Sequence, residues 1–218
     1  VCGRITLYHD ELDLTRVLEV EVFPVVPRYN VAPTELLDWV RQRPDGTREV
    51  LRGRWGLVPH WVADPATFRA ALFNARSETA AEKPSFRAAL RTSRCVVPVS
   101  GFYEWRRDGE RKQPFHVVRS DGSPLLLAGL YAERASGNSV TVLTCAPNAR
   151  MAELHDRMPV VLAPSDLARW LDPGVTRSEL VNDLMRPCPD AWISAYPVDA
   201  RVGNARIDEP ALVQALAT

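Results

Sequence analysis

Apolar positions along this chain gather in short runs rich in β-branched and aromatic residues, at 36–40, 49–55, 95–99, 102–106, 115–119, 125–130 and 140–144. Each run is bounded by turn-forming residues, the signature of strands. Asp45-Gly46, Asp108-Gly109 and Asp121-Gly122 lie between successive runs, and such dipeptides close tight hairpins. Helical periodicity is confined to 10–19, 85–91, 148–154, 165–171, 177–185 and 210–216. Strands and helices do not alternate regularly, so the expected class is α+β: a mostly antiparallel sheet, curved or barrel-like, with short flanking helices. One domain spanning 1–218 is expected, with no internal repeat, low-complexity tract or linker, while 18 prolines imply many irregular connections.

With 46% hydrophobic residues in a 218-residue chain, a sizeable core can be buried. No stretch approaches the roughly 18 apolar residues of a membrane span, and the first residues have neither a basic nor an apolar leader region. A cytoplasmic protein with no membrane partner is expected. Cys2, Cys95, Cys145 and Cys188 are far apart, with no CxxC pair and no zinc-type Cys/His spacing, so reduced thiols, no metal and no cofactor are expected. Formal net charge is zero, so binding to a polyanion would rest on a local basic surface. Lysine occurs only at Lys83 and Lys112; the other basic residues are arginines. That bias suits two-point phosphate gripping and equally suits a GC-rich genome.

The chemistry-bearing segments begin with Cys2-Gly3-Arg4. An initiator residue is normally trimmed when a small residue such as cysteine follows, and Val1 reads as a GTG start translated literally. Trimming would make Cys2 residue one. A terminal cysteine carries an α-amine of pKa about 7.7 to 8.0 and a thiol of pKa about 8.5. That pair suits an aldehyde: the amine forms an imine, the thiol adds to its carbon, and a thiazolidine ring closes. Three further segments concentrate polar groups: 74–79 (NARSET), 101–105 (GFYEW) and 155–159 (HDRMP). Asn74 can donate and accept hydrogen bonds, Glu104 can exchange protons if desolvated, and His155 titrates near neutrality. On residue type alone, Glu104 reads equally as a solvent-facing hairpin position and His155 as a helix cap.

Taken in order, the segments CGR (2–4), RYNVAPT (28–34), RWGLVPHW (54–61), NARSET (74–79), CVVPVSGFYEW (95–105), LTCAPN (143–148), HDRMPVVL (155–162) and VGNARIDEPALV (202–213) resemble the SRAP family, the abasic-site processing proteins of bacteria and eukaryotes. Only the first residue departs from the family pattern, valine standing for methionine, and a retained Val1 would block imine formation. The resemblance implies a mostly β fold with a positively charged groove for single-stranded DNA, including 3′-junction DNA. It implies that Cys2 crosslinks to the abasic sugar, Asn74 holds the N-terminal segment and the opened sugar, and Glu104 and His155 move protons. The arginines Arg4, Arg76 and Arg157, neighbours of those residues in sequence, are expected to grip phosphates. Trp55 and Trp61 are expected to stack on bases, while Trp39, Trp170 and Trp192 read as core. Gly3, Asn30 and Thr144 complete the expected DNA contacts, and a monomer associated with nucleoid DNA is expected.

Two rival activities remain at this level. An N-terminal-nucleophile peptidase would also use Cys2 and would account for removal of residue 1 by the protein itself, and a non-covalent single-strand reader would leave Cys2 inert.

Overall fold

The computed structural model describes residues 2–216 apart from 66, 69, 71 and 110. Its strands are β1 (Ile5–Leu7), β2 (Arg28–Val31), β3 (Leu36–Gln42), β4 (Arg48–Trp55), β5 (Asn74–Arg76), β6 (Arg94–Val99), β7 (Gly101–Asp108), β8 (Arg111–Arg119), β9 (Leu125–Ala132), β10 (Ser139–Cys145), β11 (Met158–Pro159), β12 (Val161–Leu162) and β13 (Ile193–Pro197). The helices are α1 (Glu11–Leu18), α2 (Ser77–Ala80), α3 (Pro84–Thr92), α4 (Ala149–Ala152) and α5 (Leu167–Leu171). None is long and apolar enough to cross a membrane among the described residues.

The seven expected runs all form strands, and their pairing is what the hydrophobic pattern could not give. One ladder closes on itself: β4 pairs with β3, β3 with β6, β6 with β9, β9 with β10, and β10 returns to β4. Closure leaves no open edge in that ring. The last pairing is parallel, as is β10 with β5, so the mostly antiparallel expectation holds with this exception. Strands β6 and β9 are buried on both faces because α5 packs on β6 and α3 on β9, which explains why they read as unbroken apolar runs rather than alternating ones. In the β3–β4 hairpin, Gly46 takes φ +86°, a conformation open to glycine at no steric cost.

The second sheet has the order β13-β8-β7-β1-β2. One face joins the main core through Ile5, Val31, Phe102 and Val117, and the other is covered by the C-terminal turns through Val198, Val202 and Leu212 packed on Tyr103. Short β1, β2, β5, β11, β12 and β13 lie outside the expected strands. Two expected helices are corrected. Segment 177–185 forms two 3-10 turns, Ser178–Leu180 and Asn182–Leu184, and 210–216 forms one, Pro210–Val213. Val181 and Leu184 both face the core, and an apolar spacing of three is met by a 3-10 turn as well as by an α-helix. The expected 148–154 helix contracts to α4, whose cap is Asn148 accepting from the Met151 amide at 2.9 Å.

Behind the second sheet His116 is wholly buried. Its Nδ1 lies 2.9 Å from Tyr196 Oη and its Nε2 3.1 Å from Thr6 Oγ1, while the Tyr196 hydroxyl donates to Val213 O. Gly101 gives the ring its space: a Cβ there would sit 2.4 Å from His116 Nε2. Burial pushes the imidazole from 6.5 down to about 3. The unfolded chain therefore takes up a proton below pH 6.5 that the folded chain refuses, so stability is fully present above 6.5 and is lost as pH falls toward 3. The expected contribution is a loss of about 1.4 kcal/mol per pH unit across that window. Urea midpoints from pH 7 to 4 check this: His116→Gln, although less stable at pH 7, should show the shallower fall.

Candidate active site

Pairing of β1 with β7 in the second sheet decides which side chains meet. Ile5 faces Phe102 across the ladder and the Tyr103 amide donates to Arg4 O at 3.0 Å, so the segment entering β1 runs beside residue 104. On β7, alternation sends Tyr103 to the His116 side, with ring centroids 4.9 Å apart, and Glu104 to the opposite side. There the Cys2 N–H donates to Glu104 Oε1 at 2.6 Å. Glu104 is only 3% exposed and Cys2 fully buried, which rules out the solvent-facing reading of Glu104. Burial pushes the Glu104 carboxyl above the usual carboxylate range, while the Cys2 hydrogen bond and the nearby His155 act in the opposite direction. The Cys2 thiol is raised by burial first and by the Glu104 charge next, so it is held protonated. Cys2 takes φ 38°, in the left-handed region. Val1, whose removal the sequence suggested, lies outside the described residues.

Asn74 opens β5, and its Nδ2 donates to Cys2 O at 3.3 Å. β5 is held by its parallel pairing with β10, which sets Asn74 against Val142 and Arg76 against Thr144. His155 follows α4, its amide bonded to Met151 O at 2.8 Å. Its Nδ1 lies 3.1 Å from the Arg157 amide and 2.7 Å from Asp156 Oδ1. The amide requires a lone pair on Nδ1 and the carboxylate a proton, so each ring tautomer has a partner. Cys2, Asn74, Glu104 and His155 thus come from four separate parts of the chain to one place.

The expected DNA-contacting residues divide. Gly3 borders open space, with nothing within 4 Å of a Cβ built on it, and Arg76 is exposed. Trp61 is 50% exposed, with His60 edge-on at 5.2 Å. Trp55 is corrected: it is wholly buried, its Nε1 donating to Phe73 O at 2.9 Å. It offers no face for stacking, and instead anchors the residue before Asn74. Asn30, wholly buried, is corrected as well, whereas Arg4 is part-exposed and bonded within the protein. Arg4 donates to Asn30 Oδ1, Val202 O and Gly203 O, and Asn30 Nδ2 donates to Val202 O, Asn204 O and Ile207 O. Together they bind the 202–207 turn to β2 and to the segment between Cys2 and β1, which gives the VGNARI segment a structural reason. Thr144 is buried, with its carbonyl and hydroxyl engaged by Arg157. Trp39 and Trp170 are buried as expected, whereas Trp192 is half-buried under Arg119 at 4.3 Å.

Two residues near the site carried no signal of their own. Arg134 donates to Pro59 O, His60 O and Val62 O, gripping the loop that presents Trp61. Glu78 closes on the Arg157 guanidinium. Among the described residues no cluster of His, Cys, Asp or Glu could hold a metal ion.

A protein family described as SOS response associated peptidase (SRAP) matches residues 1–205. The chain is 34% identical to abasic site processing protein YoqW of Bacillus subtilis over 98% of this chain and 99% of that one. It is 28% identical to abasic site processing protein YedK of Escherichia coli over 98% and 99%. Abasic site processing protein HMCES of Xenopus tropicalis is 32% identical over 87% of this chain and 66% of its own length. A solved structure of a Bordetella bronchiseptica protein superposes with a TM-score of 0.77 at 25% identity, covering 91% of this chain and all of that one. One from Bacteroides thetaiotaomicron gives 0.71 at 27%, covering 88% and 82%.

Proposed function

Because the chain belongs to the SRAP family, we propose that it processes abasic sites in single-stranded DNA by capturing the opened sugar covalently on Cys2 after residue 1 is removed. The observation that carries this reading is the 2.6 Å contact between Cys2 N and the buried Glu104 carboxylate, a base set against the nitrogen that must attack. In the proposed sequence the neutral amine adds to the C1′ aldehyde, and Glu104 takes the proton that the nitrogen sheds. Returning it to the oxygen gives the carbinolamine, and carrying the second nitrogen proton to that hydroxyl by the same route releases water and leaves the imine. The thiol, protonated by its burial, then adds through sulfur to the imine carbon while its proton passes to nitrogen, closing the thiazolidine. His155 would assist opening of the sugar hemiacetal, and Asn74 would orient the reactants by fixing Cys2 O. Exposed Arg76 and Trp61 would receive phosphate and base, which favours a flexible strand or a 3′-junction over continuous duplex. The reading extends to a monomer working on nucleoid DNA in the cytoplasm.

The test uses protein whose intact mass lacks residue 1, mixed with a single-stranded abasic oligonucleotide and resolved by denaturing electrophoresis. A heat- and SDS-stable adduct, formed faster than with paired DNA and absent with undamaged DNA, is expected. Binding with no adduct would favour the non-covalent reader.

The same contact supports a second reading. While residue 1 is attached, Cys2 N is the leaving nitrogen of the bond to be cut, and Glu104 stands where a proton must be delivered to it. Self-removal of residue 1, in keeping with the family's description as a peptidase, would then precede DNA capture.

A further inference from the structure

The Arg157 guanidinium does not present an open fork. Its Nη1 and Nη2 donate to the two Glu78 oxygens at 3.0 and 2.8 Å, Nη2 also donates to Thr144 O at 2.7 Å, and Nε to Thr144 Oγ1 at 3.3 Å. Arg157 is 15% exposed and Glu78 48%. The two residues belong to different arms of the site. Glu78 lies on α2, which continues directly from β5 and Asn74, whereas Arg157 follows His155 and donates its own amide to His155 Nδ1. A two-point carboxylate–guanidinium pair fixes direction as well as distance, so it sets the Asn74 arm against the His155 arm. The pair also places a negative charge next to exposed Arg76, whose charge acts on Glu78. A phosphate arriving there meets two cations and an anion on which both act.

We propose that Glu78 is a positioning residue for the capture reaction: its carboxylate holds Arg157, and through it His155, in working geometry, and it does so at the expense of DNA affinity. This role rests on the proposed function of the site. It separates two quantities that ordinary damage to a binding site moves together. Losing the carboxylate should misplace His155 and lower the maximal rate, while removing a negative charge from the phosphate path should tighten binding. A partly unfolded variant cannot reproduce that combination, because loss of active protein does not lower a half-saturating concentration.

The experiment is single-turnover adduct formation by protein lacking residue 1, with single-stranded abasic oligonucleotide titrated in excess, comparing wild type with Glu78→Gln. The expected maximal rate is about tenfold lower, on the scale of a small misplacement of a reacting group. The half-saturating DNA concentration is expected to fall by about two- to fivefold, the worth of one partly exposed charge. An unchanged maximal rate, or a raised half-saturating concentration, would overturn the role given to Glu78 while leaving covalent capture standing. No adduct with wild type would overturn the reading of the site itself and this role with it.

Discussion

Replacing Cys2 by alanine is expected to abolish the heat- and SDS-stable adduct while leaving the fold and the terminal amine in place. Alanine at that position can still form an imine, so a borohydride-trapped product should persist where the untrapped one disappears. The difference isolates sulfur. Closing a five-membered ring is intramolecular, and well-oriented intramolecular attack has an effective molarity of about 10⁵ to 10⁸ M, which makes the thiazolidine far more durable than the imine. Protein that retains residue 1 should also fail to give the stable product, because its nitrogen at Cys2 is an amide. That nitrogen would keep its hydrogen bond to Glu104, yet an amide lone pair is delocalised into its carbonyl. Stable adduct in wild-type yield from Cys2→Ala would remove Cys2 from the mechanism, and equal yield with and without residue 1 would point to the thiol alone or to another amine.

Glu104→Gln should slow adduct formation by about 10²- to 10⁴-fold, the usual contribution of a positioned general acid or base. Glutamine keeps the shape and can still accept a hydrogen bond from Cys2 N, but it cannot take up the proton. Adduct should therefore accumulate at long times. Release of a preformed adduct should slow by a comparable factor, since the forward and reverse reactions pass through the same transition states. Burial raises the Glu104 carboxyl, so the base form is lost at a higher pH than for an ordinary carboxylate as the solution is acidified. That limb of the wild-type pH–rate profile should vanish in the variant. Wild-type rates in both directions for Glu104→Gln would leave Glu104 as a buried partner of the backbone only.

Much of the architecture was legible in the hydrophobic pattern. The runs that became β3, β4, β6, β9 and β10 are long enough, and apolar enough, for burial to dominate local preference. The strands outside that pattern are short, and β2 and β5 carry polar residues such as Asn30 and Asn74 whose partners lie far away in sequence. Asn30 resembles a ligand for DNA because a polar residue in a motif has the same appearance whether it binds a ligand or a buried turn. Trp55 and Trp61 lie in one motif, but Trp55 ends a barrel strand and faces the core while Trp61 sits on a loop beyond it. No local signal separates them. Glu104 was ambiguous for another reason. Period-two alternation identifies a solvent face only when one face of the sheet is wet, and the second sheet is covered on both.

By itself the sequence determined the chemical groups and their family: a Cys-Gly-Arg start followed by NARSET, GFYEW and HDRMP segments in order, which named Cys2, Asn74, Glu104 and His155 together. Only the tertiary structure decided which group stands against which atom. Glu104 is 102 positions from Cys2 and reaches its nitrogen because β1 pairs with β7 in one register, a choice made by burial of Ile5 and Phe102 in the shared core. A shift of that register by one residue would turn Glu104 to the opposite face, with every motif in the sequence unchanged.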